Sequence, residues 1–110
     1  MAKLERCIHG NIYELIRRIE DGIISGSASA SLEASSSFSD GEAKCEIRVF
    51  ERYSYMGGNR VSLNITLFQA SPSSPVYLSG ITSGGSQAMF VKLNTFGESA
   101  FLEKLSEIIN

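Results

Sequence analysis

Phe38-Ser39-Asp40-Gly41-Glu42-Ala43 is the stretch that decides the fold. An Asp-Gly pair between two alternating runs is a strong local hairpin signal, because glycine supplies the positive φ that a two-residue loop needs. With Asp40 and Gly41 as that loop, Ala28, Ala30, Leu32, Ala34 and Phe38 lie opposite Tyr53, Glu51, Val49, Ile47 and Ala43. The apolar sets of the two arms then share one face, which predicts a long antiparallel ribbon with a single buried side.

The two arms differ in composition. Residues 42 to 55 are rich in Ile, Val, Phe and Tyr, with charges on alternate positions, and read as the strongest strand of the chain. Residues 26 to 38 are almost entirely Gly, Ala and Ser. Read alone they resemble a flexible linker, but their parity with the second arm predicts a strand whose inner side is mostly alanine.

Beyond the ribbon, Arg60 to Phe68 alternates around Val61, Leu63, Ile65 and Leu67. A three-residue loop with Gly58 in the left-handed region and a bulge at Asn59 would pair Tyr53 with Val61 and Val49 with Ile65. Ser71-Pro72-Ser73-Ser74-Pro75 is a loop, since proline cannot donate to a ladder. Residues 76 to 82 and 87 to 93 read as two further strands around Ser83-Gly84-Gly85-Ser86.

Helices are expected at both ends. A short strand over residues 3 to 9 stops at Gly10, and Asn11 with Glu14 three residues later has the spacing of an N-cap. Ile12, Leu15, Ile16 and Ile19 follow at helical spacing, and Gly22-Ile23 predicts a left-handed C-cap that ends the helix near residue 21. Thr95-Phe96-Gly97-Glu98 matches a capping box, followed by the apolar stripe of Phe101, Leu102, Leu105, Ile108 and Ile109. The fold class is therefore α+β: one domain over residues 1–110, an antiparallel meander of five to six strands, and an N-terminal and a C-terminal helix packed on one face.

Composition narrows the function classes. The chain has 110 residues, 43% hydrophobic and 20% charged, with a net charge of −2. Its basic residues are interspersed with acids, which disfavours a phosphate-tracking surface and hence a nucleic-acid partner. Cys7, Cys45 and His9 are too few and too dispersed for structural zinc, and no cofactor motif is present. The two thiols are expected to be free, a Cys7–Cys45 disulfide being the alternative. Charge near the N-terminus and the lack of a 20-residue apolar run lead to an expectation of a cytoplasmic protein without a membrane partner.

No catalytic constellation is recognisable. Glu51 is the residue that alternation places between Val49 and Tyr53 on the inward face, where desolvation would raise its pKa. Gly84 and Gly85 could allow close approach of a ligand to the backbone, although a phosphate cradle would need a helix directly after them. On the opposite face Phe50 and Phe68 would form a surface suited to a homodimer.

Two stretches, Val49 to Leu63 and Ile81 to Glu98 through Ser83-Gly84-Gly85-Ser86-Gln87, resemble an uncharacterised family of short bacterial proteins found mainly in Gram-positive, often anaerobic, lineages. That resemblance implies no activity, cofactor or site residue. The element order also resembles a minimal helix-grip arrangement, which implies an apolar ligand held between sheet and helix. The first functional expectation is thus a non-enzymatic domain binding a small apolar or amphipathic ligand near Glu51, Tyr53, Ala28, Ala30, Gly84 and Gly85. The second is a homodimeric structural or interaction module using the outer sheet face, and the third an enzyme using Glu51.

Overall fold

The computed structural model describes residues 1–27, 29–53, 60–84 and 101–110. Its centre is β4 (Arg60–Gln69), where strict alternation leaves Val61, Leu63, Ile65 and Leu67 fully buried. On either side lie β5 (Val76–Gly84) and β3 (Ala43–Tyr53), then β1 (Ala2–Ile8) and β2 (Ser31–Asp40), in the order β1-β5-β4-β3-β2. Every pairing is antiparallel, so β2 to β5 form a meander that β1 completes at the β5 edge. The expected further strand over 87–93, the Gly58 turn, the capping box and Gly85 lie outside the described residues.

Both helices cover the same face of this sheet, as the composition of the core shows. The first, α1 (Ile12–Gly26), is capped by Asn11, whose side-chain oxygen accepts from the amides of Tyr13 at 2.9 Å and Glu14 at 3.1 Å. It turns Ile12, Leu15, Ile16, Ile19 and Ile23 inward. The second, α2, is helical over residues 101–109 and buries Phe101, Leu105 and Ile109 beside them.

Gly22 does not end α1, contrary to the expected stop near residue 21. The helix continues through Gly26, and a Cβ added at Gly22 would lie 2.7 Å from Ile108 Cδ1. The glycine is needed for the close crossing of the two helices and not for a cap. Gly80 of β5 serves the same end from the sheet, since a Cβ there would come within 2.7 Å of Leu105 Cδ2.

The hairpin loop is Gly41-Glu42, one residue later than expected, because Asp40 pairs with Ala43. Gly41 has φ +61°, and no described non-glycine residue has positive φ, which is the signature of a II′ turn with glycine first. Moving the loop by one residue shifts opposite partners by two, so Ala34 and Phe38 still share a face with Ile47, Val49 and Cys45. A bulge between Leu32 and Ala34 then reverses the alternation, and Leu32 faces Phe50.

The larger correction concerns which side of β3 meets the helices. Tyr53 pairs with Arg60, and Arg52, not Tyr53, pairs with Val61. Because β4 fixes the buried side, the register brings Glu46, Arg48, Phe50 and Arg52 to the helix face and turns Cys45, Ile47, Val49, Glu51 and Tyr53 to the open side. Phe50 is fully buried and is no part of the outer surface expected of it.

Leu105 is fully buried at the centre of this layer, so Leu105→Ala should cost about 2 to 5 kcal/mol in urea denaturation. Gly84 has φ +129°, and a Cβ there would lie 2.5 Å from the backbone oxygen of Arg60. Gly84→Ala should therefore destabilise by about 2 kcal/mol or more, and by more than Gly80→Ala, where only a leucine methyl must move. Thermal melts of the two variants compare them directly.

Candidate functional site

Charged side chains on the covered side of β3 are accommodated by partners from another element. The Arg48 guanidinium donates from Nε to Glu20 Oε2 of α1 at 2.5 Å and from Nη2 to Glu46 Oε1 at 2.8 Å. Its Nη1 reaches the backbone oxygens of Ile47 at 3.0 Å and Ser36 at 3.2 Å, and Ser37 Oγ donates to Glu46 Oε1 at 2.8 Å. Burial alone would lower the pKa of Arg48, but its hydrogen bonds to Glu20 and Glu46 raise it overall. Arg52 stacks 4.5 Å from the centre of the Phe101 ring, and burial lowers its pKa. Each group has its partner, so this network is a device of the fold.

The residues expected to form a site are scattered. Ala30 packs at the margin of the core, Ala34 is exposed, and Ala28 lies outside the described residues. Glu51 sits on the open side, paired with Arg60 Nη2 at 2.5 Å. Tyr53, on the same side, is exposed and lies 5.7 Å below the Arg60 guanidinium. Gly84 closes β5 against the backbone of Arg60, which explains its conformation without a ligand. The described residues bring together no group of three or more His, Cys, Asp or Glu side chains able to hold a metal.

What the structure does bring together is the open face of the sheet. Its register aligns Phe38, Cys45, Phe68, Tyr77 and Cys7 in a single row across all five strands. Phe38 is 63% exposed, Tyr77 54% and Phe68 42%. The next row is Ser36, Ile47, Thr66, Ser79 and Glu5, and the one after it Ala34, Val49, Asn64, Ile81 and Lys3. Phe68 forms a ridge between two shallow depressions of about 510 and 480 Å³, one reaching Cys7 and Tyr77, the other Phe38 and Cys45.

Charge on this face is confined to its margin and largely neutralised there. Lys3 and Glu5 lie 3.8 Å apart on the edge strand β1, while Arg60 bridges Glu51 and, at 4.0 Å, Glu33 at the opposite corner. An uncharged centre of aliphatic and small polar groups, bounded at one end by the aromatic row and elsewhere by charges at the rim, has the general anatomy of a protein–protein contact. Both thiols are free and both belong to the aromatic row.

A family model described as a family of unknown function, DUF6054, matches residues 1–110. The chain belongs to this family. No curated protein and no solved structure matches the DUF6054 chain. Its functional reading therefore rests on its own surface, where the aromatic row is the feature that the hairpin parity hid. Sequence alternation places Ile47 and Val49 toward the core, whereas the register with β4 and the partners of Arg48 and Arg52 in α1 and α2 give the opposite assignment.

Removing Arg48 would leave Glu46, 3% exposed, with Ser37 as its remaining side-chain partner. Arg48→Met should cost about 3 kcal/mol, whereas the double variant Glu46→Leu/Arg48→Met should recover most of that loss, because Glu20 stays partly solvated. A double-mutant cycle in urea measures the difference.

Proposed function

We propose that this DUF6054 chain is a non-enzymatic interaction module that works as a homodimer, burying the open face of its sheet against a second copy. The single observation that carries this reading is the row Phe38, Cys45, Phe68, Tyr77 and Cys7, apolar or aromatic across all five strands and left uncovered by any described residue.

The size of the face supports a second copy as its occupant. Five strands about 4.8 Å apart, and four rows two residues apart along them, span on the order of 650 Å² in projection. A standard interface buries roughly 600 to 1,000 Å² on each partner, so this one face is large enough for a specific dimer. A second copy also presents the same flat, uncharged centre, which avoids desolvating an unpaired charge.

The interior gives less support to a small apolar ligand between sheet and helix. Such a ligand needs room between sheet and helix, yet Ala34 points to solvent and α2 approaches β5 closely enough to require Gly80. Sedimentation velocity over a range of micromolar concentrations tests the dimer. The parent chain should sediment as a dimer and Phe68→Glu as a monomer with an intact fold by circular dichroism; a parent that stays monomeric at high micromolar concentration overturns the proposal.

A further inference from the structure

The arrangement of rows also selects how two copies would meet, an inference that rests on the homodimer reading above. Where two sheets pack aligned, a two-fold face-to-face contact places its axis in the plane of the interface, either across the strands or along them. An axis across the strands through the middle of the face would bring the aromatic row over the far rows, setting Phe68 against the polar region of Asn64 and Ser62. Placed on the aromatic row itself, such an axis would leave most of the face uncovered. An axis along the strands keeps each row on its own counterpart.

We infer that the two-fold axis runs along the central strand β4, so that Phe68 packs on Phe68 of the second copy and the five-residue rows cross over one another. The order of the strands then fixes the other contacts. Strand β5 of one copy lies over β3 of the other, and β1 over β2, so Tyr77 faces Cys45 and Cys7 faces Phe38. The charges accord with this choice. Lys3 and Glu5 would lie over Ala34 and Ser36 at the rim, and Glu51 over Ser83, while Arg60, at the end of the axial strand, meets its own counterpart with its charge balanced by Glu51 and Glu33 of the same copy.

The two thiols report the geometry. With strands about 4.8 Å apart and sheets about 10 Å apart, Cys7 of one copy and Cys45 of the other have Cα atoms about 11 Å apart. By the same spacings the Cys45 pair is about 14 Å apart and the Cys7 pair about 22 Å. Single-thiol chains Cys7→Ser and Cys45→Ser are first shown by sedimentation to dimerise, then treated with a bismaleimide of about 8 Å span, separately and after mixing to exchange subunits.

The mixture should give at least several-fold more cross-linked dimer than either variant alone, and Phe68→Glu added to both should abolish the product. Dimers that cross-link best within the Cys7→Ser sample, through Cys45 alone, or best within the Cys45→Ser sample, overturn this arrangement while leaving the homodimer standing. So do dimers for which no sample cross-links. Single-thiol chains that remain monomeric, together with a monomeric parent, overturn both.

Discussion

The Arg48 guanidinium, held between Glu20 of α1 and Glu46 of its own strand, is the interaction on which the rest of the surface depends. A strand has only two sides, and placing Arg48 beneath the helix layer commits Cys45, Ile47 and Val49 to the other. That choice is costly in desolvation and becomes tolerable because the guanidinium is saturated by carboxylate and backbone oxygens. The covered side of β3 thus holds Glu46, Arg48 and Arg52 beside Phe50, and its open side holds Cys45, Ile47 and Val49.

The helix layer enforces this arrangement through close contact rather than bulk. Gly80 and Gly22 admit Leu105 and Ile108 where any larger residue would push α2 away from β5 and α1. With α2 seated there, Phe101 lies under Arg52 and closes the far end of β3 against the same side. Two glycines and two arginines therefore decide which face of a five-stranded sheet remains open, and the aromatic row is a consequence of that decision.

Much of the architecture was legible from patterning alone. The helices, the four buried positions of β4 and the hairpin at Gly41 follow from local periodicity and turn chemistry, which act over a few residues. The side of β3 did not, because both of its alternating sets contain apolar residues and the deciding partner of Arg48 lies 28 positions away at Glu20. Gly22 was misread for a related reason: a helix-ending glycine and a helix-crossing glycine look identical until Ile108 is placed against it. The candidate face was hidden by the same ambiguity, since a row across five strands has no sequence period.

The composition of β2 takes on a different meaning in this frame. Alanine and serine there do not make room for a helix, because nine of its ten residues are exposed and no described helix covers most of its length. An edge strand wetted on both sides gains little from large apolar residues and would expose them to aggregation. Serines at 35, 37 and 39 keep one side polar, Ser37 supports Glu46, and the bulge near Glu33 breaks the regular edge. Leu32 and Phe38 are the exceptions on this strand, and the place of Phe38 at the end of the aromatic row ties its exposure to the proposed contact surface.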